Sequence, residues 1–240
     1  MCIRDSIIGA RLLSDQQLFF VVYTLVLMKP IPPELAQRLP PGQVLTEKWP
    51  VLTYGRTPRV GLANWTFRCF GLVEEEKTWN WEEFLALPRV EVVSDAHCVT
   101  RWSRLDIRWE GVRVRDLLAE VGIKPEARAV MVHAHPDYTT NVNLDDLLVD
   151  NALLAIKADG KDLEPDHGGP CRLMIPHLYF WKSAKWVRGF EFMEINAPGF
   201  WEVNGYHLLA DPWKEERYSD QETNAMQRMR AEAARKLRGR

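Results

Sequence analysis

The sequence predicts an α+β fold of mixed β-sheets joined by short helices. Apolar or alternating runs, at residues 90–93, 129–134 and 153–158, are strand-length and end at Gly, Pro or Asp turn signals. Helical spacing is confined to brief stretches such as 81–87 and 114–121. Strands and helices do not alternate regularly, as they would in βαβ units. The 240 residues, 46% of them hydrophobic, supply an ample core for one large domain or two small ones. A net charge of -2 with dispersed basic residues leaves no footprint for nucleic acid, and no such partner is expected.

Taken in order, the chain opens with an apolar run at 18–28, too short for the ~20 residues of a membrane span. Arg4 and Arg11 are offset by Asp5 and Asp15, and no small-residue cleavage site follows, so neither membrane insertion nor export is expected and the cytoplasm is the expected location. At Met28 the composition turns to Lys29-Pro30-Ile31-Pro32-Pro33. The native start is expected there, with residues 1–27 an upstream extension. Residues 30–50 read as an irregular arm with a helical turn at 33–38, and 51–58 as a strand entering a turn. A strand at 65–72 precedes a helix at 81–87, capped by Thr78 or Asn80 and stopped by Pro88.

The strand at 90–93 leads into residues 94–103, whose polar and aromatic side chains break its pattern. Residues 107–111 suggest a strand and turn, and 114–121 a helix closed by Gly122. A strand at 129–134, a helical turn at 144–148 and a hairpin of 153–158 with 161–163 follow, the last turned by Asp159-Gly160. Strands at 171–175 and 186–195, the second interrupted at Gly189, complete the domain, expected over 28–218. Residues 219–222 fit a capping box opening a terminal helix within 219–240, read as a solvated end.

The four cysteines, Cys2, Cys69, Cys98 and Cys171, are widely separated, which argues against a tetrahedral zinc site or c-type haem attachment and leaves reduced thiols. Cys98, at a strand end between His97 and Arg101, is placed for deprotonation by nearby positive charge. From the residues alone it is either a buried core thiol or a thiolate that binds metal or attacks. Loops carrying His133, His135, His167 and Arg172, with Lys182, Lys185 and Arg188 near Ser183, gather cationic donors suited to a phosphate-bearing ligand. Singly, each reads first as an ordinary loop or solvated residue, and only together do they point to such a ligand. Of the ten tryptophans, Trp49, Trp102, Trp109, Trp181, Trp186, Trp201 and Trp213 neighbour charged residues, as pocket walls, a domain seam or amphipathic packing would require.

The segments Asp95-Ala96-His97-Cys98-Val99-Thr100-Arg101-Trp102-Ser103, Asp137-Tyr138-Thr139-Thr140-Asn141, Asp166-His167-Gly168-Gly169-Pro170-Cys171-Arg172 and Trp181-Lys182-Ser183-Ala184-Lys185-Trp186-Val187-Arg188-Gly189 resemble the sulfite oxidase-type molybdopterin oxidoreductases, in particular their compact bacterial branch. The resemblance spans about 28–218. It implies the molybdopterin-binding fold of that family and a molybdenum-pyranopterin cofactor. Cys98 would be the molybdenum ligand, with Arg101 beside it as a catalytic residue. His167, Arg172, Ser183, Ala184 and Lys185 would hold the pterin and its phosphate, joined by Tyr54, Gly55 and Arg56 from an N-terminal turn and by His133.

The implied reaction is two-electron oxygen-atom transfer on a small substrate, either a sulfite-like oxyanion or a sulfoxide or N-oxide, with electrons exchanged through a separate partner. Sulfite oxidases proper carry arginines after the cysteine, where this chain has Trp102 and Ser103, as does the methionine-sulfoxide reductase branch. The residues after Ile195 are too few for a dimerisation domain, so a monomer is expected. Two other classes remain: a Cys-His hydrolase with Cys98 as nucleophile, and a pterin-binding module without turnover.

Overall fold

The computed structural model describes residues 31–238. The expected extension at 1–27 and the start at Met28 lie outside the described residues. The chain divides into two units, 1–38 and 39–240. In the first, Pro33, at a position where a missing N–H costs nothing, opens the single turn α1 (Pro33–Ala36). The remaining description concerns the second.

There the strands are β1 (Val44–Leu45), β2 (Thr66–Gly71), β3 (Lys77–Asn80), β4 (Arg89–His97), β5 (Trp102–Arg113), β6 (Ala129–Ala134), β7 (Tyr138–Asn143), β8 (Leu153–Ala158), β9 (Lys161–Asp162), β10 (Arg172–Met174) and β11 (Val187–Met193). One sheet runs β1-β5-β8-β10, with β4 also on β5 and β9 on β8; the other runs β3-β2-β11-β6-β7. The β1–β5 and β2–β11 pairs are parallel and the others antiparallel, so both sheets are mixed, as expected. The helices between them are α2 (Trp81–Ala86), α3 (Val114–Leu118), α4 (Leu144–Leu147), α5 (Phe200–Val203) and the terminal α6 (Asn224–Arg238).

Local chemistry explains these elements. Asn80 caps α2 by accepting from the Glu83 N–H at 3.0 Å, while Glu83 returns the bond to the Asn80 N–H at 2.9 Å. The hairpin of β8 and β9 turns at Asp159 (φ 51) and Gly160 (φ 76), as the Asp-Gly pair predicts. Trp65, Phe67, Phe84, Leu117 and Phe190 are buried together between the second sheet and helices α2 and α3. Ile107, Trp109, Leu153, Ala155 and Met174 form a separate core on the first sheet.

Several boundaries differ from the sequence reading. β4 does not stop at Val93; a bulge between Ser94 and Ala96 lets it pair with β5 as far as His97 opposite Ser103. Gly111 is inside β5 rather than at a turn. A Cβ there would lie 2.1 Å from the Leu154 carbonyl oxygen, so the close approach of β8 excludes any side chain. Residues 51–58 form no strand: no neighbouring strand takes their backbone groups, and Val51 and Leu52 stand half exposed. The residues of the expected capping box instead form a separate 3₁₀ turn, Ser219–Gln221, and α6 begins only at Asn224.

A buried polar knot fixes the segment that leads into β11. Lys182 and Glu202 are both fully buried. Lys182 Nζ donates to the Asn141 carbonyl and Oδ1, each at 2.8 Å, and to Glu202 Oε1 at 2.7 Å. Thr140 Oγ1 and Trp181 Nε1 donate to the same carboxylate oxygen at 2.9 and 2.8 Å. Removing one member strands the other charge in a dry interior. Lys182→Met is therefore expected to cost about 3–5 kcal/mol in urea unfolding, far above a surface Lys→Met change.

Candidate functional site

The turn between β4 and β5 sets Cys98 in place. The Cys98 N–H donates to the Trp102 carbonyl at 2.9 Å and its own carbonyl accepts from Arg101 N–H at 2.9 Å, a tight turn completed by Arg101 at φ 75. The Gln43 side-chain amide donates to the same carbonyl at 3.0 Å. The sulfur lies 3.1 Å from Thr100 Oγ1, and Cys98 lines a cavity of about 490 Å³. That volume is in the usual range for cofactor sites.

Three other segments contribute to the wall. Trp49, Leu52, Thr53 and Tyr54 come from the irregular arm before β2, His135 and Tyr138 from the β6–β7 turn, and Ser183, Ala184, Lys185 and Trp186 from the strap that precedes β11. The strap is tied down by Leu173 N–H to the Ala184 carbonyl at 2.8 Å, by Ile175 N–H to Ser183 Oγ at 2.9 Å, and by the Lys182 knot. Trp102, Phe180, Trp181, Phe200, Trp201 and Tyr206 make much of the remaining surface aromatic. Trp181 packs at 4.9 Å from Tyr206, which stacks on Trp201 at 5.2 Å.

Arg172 and Lys185 supply the positive charge. The buried Arg172 guanidinium donates to the His167 and Ser183 carbonyls, both at 2.8 Å, and lies 4.2 Å from the Phe180 ring centre. Burial pulls its pKa down to about 9. Lys185 Nζ donates to the Leu52 carbonyl at 3.0 Å, Thr53 Oγ1 at 2.9 Å and the Asp166 carbonyl at 2.6 Å. Burial and the neighbouring Arg172 bring it down to about 8. Among the described residues, neither cation has a carboxylate oxygen within 4 Å. Gly168, at φ +104, allows this closeness; a Cβ there would sit 3.0 Å from Lys185 Cα.

Of the residues singled out from the sequence, Tyr54, Cys98, Arg172, Ser183, Ala184 and Lys185 meet on this wall. The others do not. His167 stacks on Trp49 at 4.0 Å, one layer behind the surface, and burial with Arg172 lowers its pKa. His133 faces away, hydrogen-bonded to Glu191 at 3.0 Å across the sheet, and His135, two residues later, takes the wall position. Arg101, Gly55 and Arg56 are exposed and off the wall.

The expected activation of Cys98 by its sequence neighbours is also corrected. His97 Nδ1 is bonded to Ser103 Oγ at 2.8 Å, and burial raises the Cys98 thiol despite the opposing effects of Thr100 and Arg217. Thr53 and Tyr206 gave no separate signal in the sequence, whereas His135 stood among the candidate loop residues and Thr100 only within the Cys98 motif. Tyr138 was visible only as part of its motif. Five of the seven flagged tryptophans line the cavity, whereas Trp109 is core and Trp213 is exposed.

Residues 54–201, more than half of the chain, match the family described as oxidoreductase molybdopterin binding domain. The chain belongs to this family. It is 47% identical over 183 residues to the oxidoreductase YuiH of Bacillus subtilis, covering 76% of this chain and 92% of that protein. It is 28% identical over 156 residues to the protein-methionine-sulfoxide reductase catalytic subunit MsrP of Campylobacter jejuni, covering 58% of this chain and only 52% of the relative. Among solved structures, the sulfane dehydrogenase SoxCD of Paracoccus pantotrophus shares the fold at a TM-score of 0.55 and 19% identity, over 70% of this chain and 54% of that one. The protein is thus a sulfite oxidase-type oxidoreductase whose cofactor is molybdenum-molybdopterin.

The residues present fit that cofactor. Arg172 Nε and Trp102 Nε1 on the wall, and His167 Nδ1 just behind it, are buried without a hydrogen-bond partner. Two cations short of negative charge suit an anionic group, and Cys98 supplies a soft donor for a metal. The same shortage sets a pH dependence. Lys185 is near 8 when folded, below its ordinary 10.5, so between those values the unfolded chain binds more protons. Stability of the cofactor-free protein is expected to rise through that window, while phosphate affinity falls above about pH 8. Melting curves and phosphate titrations against pH check both, and Lys185→Gln should flatten them.

Proposed function

We propose that the protein catalyses oxygen-atom transfer from a small neutral substrate of the sulfoxide class, which is reduced, with Cys98 as the molybdenum ligand. One observation carries this reading: Cys98 lines an aromatic chamber whose two cations, Arg172 and Lys185, have no carboxylate oxygen within 4 Å among the described residues. When bound, molybdenum-molybdopterin supplies two-electron exchange of an oxygen atom with the substrate.

The protein's own residues divide the remaining work. Arg172, Lys185 and the Ser183–Lys185 backbone hold the anionic part of the cofactor, with His167 steadying Trp49 behind it. Trp102, Trp181, Trp201 and Tyr206 exclude water and offer apolar faces to the substrate, which suits a sulfoxide better than a sulfite dianion. Tyr138 donates to the Trp181 carbonyl at 2.8 Å, and burial pushes its ionisation well above the ordinary 10, so it keeps its proton and remains a donor. Electrons pass through a separate partner. The name of the MsrP relative, a methionine-sulfoxide reductase, favours this direction of reaction. Cys98 Sγ pairs with Thr100 and His97 with Ser103, an arrangement that gives a Cys-His hydrolase no support.

Protein made in a host that assembles molybdopterin should carry about one molybdenum per chain. It should reduce methionine sulfoxide with a reduced viologen dye faster than it oxidises sulfite. Cys98→Ser should lose more activity than the roughly 10- to 100-fold typical of groups outside the metal's ligand set. A folded Cys98→Ser protein with undiminished activity rules out the ligand role, and sulfite oxidation without sulfoxide reduction rules out the substrate class.

A further inference from the structure

Arg217 lies beyond the matched domain, which ends at residue 201. Its guanidinium nevertheless reaches the Cys98 turn and is only 4% exposed. Nη1 donates to the Val99 carbonyl at 2.6 Å and Nη2 to the Pro41 carbonyl at 3.3 Å, while Cζ sits 4.8 Å over the Tyr179 ring. The nearest charged partner, Glu215, is 3.7 Å from Nε and half exposed, and Nε itself has no hydrogen bond. A buried guanidinium costs several kcal/mol of desolvation, and two carbonyls with one distant carboxylate offset it poorly. The charge itself therefore calls for a further explanation.

That explanation lies in what the guanidinium touches. Val99 directly follows Cys98, and Pro41 lies on the segment whose Gln43 amide holds the Cys98 carbonyl at 3.0 Å. Arg217 therefore clamps both sides of the turn that aims the sulfur. We infer that Arg217 is a positioning residue for the cofactor: it fixes the direction of the Cys98 sulfur and places a buried positive charge beside it. The charge favours the anionic sulfur. A fixed positive charge also favours the more reduced metal, because reduction adds negative charge. The inference rests on Cys98 as the metal ligand.

The test uses holoenzyme and cofactor-free protein side by side. In a redox titration followed by Mo(V) electron paramagnetic resonance, Arg217→Gln is expected to lower the midpoint potential by at least a tenfold change in the one-electron equilibrium constant, about 59 mV. Arg217→Lys, which keeps the charge, should recover most of that shift. Glu215→Gln, at a half-exposed site that folding tolerates, should move the potential upward. In cofactor-free protein, Arg217→Gln should speed hydrogen exchange at the Cys98 and Arg101 amides at least tenfold while leaving β6 unchanged. Unaltered potentials in both the Arg217→Gln and Glu215→Gln proteins, or unaltered exchange at the turn, overturn the inference. Wild-type protein without molybdenum, or an unchanged Mo(V) signal in Cys98→Ser, would instead defeat the ligand reading, and the exchange experiment would still decide whether Arg217 holds the turn.

Discussion

The buried contact between Lys182 and Glu202 is the constraint on which the site depends. It joins three regions distant in sequence: β7 through Thr140 and Asn141, the strap through Trp181 and Lys182, and α5 through Glu202. An ammonium and a carboxylate taken fully out of water persist only when neighbouring donors and acceptors satisfy them. Here one oxygen of Glu202 collects three donors, and Lys182 spends all three of its protons. The knot permits little play. Because Ser183, Ala184 and Lys185 follow at once, the rigidity of Lys182 is passed to residues that line the cavity.

Beyond the knot, the site is built from deliberate shortage. Arg172 and Lys185 face the cavity with carbonyl and hydroxyl partners only, and burial weakens their hold on their protons. Such a cradle is costly when empty and relaxed when an anion fills it, so anion binding and folding stability are linked through the same two side chains. Cys98 follows the same logic, since a thiol whose ionisation is opposed by burial becomes an anion readily only beside a cation, whether a metal or a guanidinium.

Much of the scaffold was legible in the sequence because its signals are local. Asn80 and Glu83 cap α2 through contacts three residues apart, Asp159-Gly160 turns its hairpin through two dihedral choices, and β6 was delimited by its apolar run. Where pairing decides, the local signal misled. The extension of β4 to His97 depends on the edge offered by β5, and residues 51–58, although strand-like in composition, lack a neighbouring strand. The capping pattern at 219–222 was likewise real as chemistry but closed a separate 3₁₀ turn.

For the site, the sequence by itself determined the chemical inventory: one cysteine at a strand end, a basic strap, a glycine-rich turn before Arg172, and more tryptophan than a core consumes. Their motifs were sufficient to indicate the family. Tertiary structure alone decided which of these residues face a common space. It chose His135 over His133 because β6 ends at Ala134 and His135 belongs to the turn that borders the cavity, whereas His133 is held across the sheet by Glu191, and it moved His167 behind Trp49. It also brought Arg217 to the Cys98 turn, a contact across 118 residues for which no short-range pattern exists. Sequence records what each residue can do, whereas proximity between distant segments arises only from the sum of packing over the whole chain.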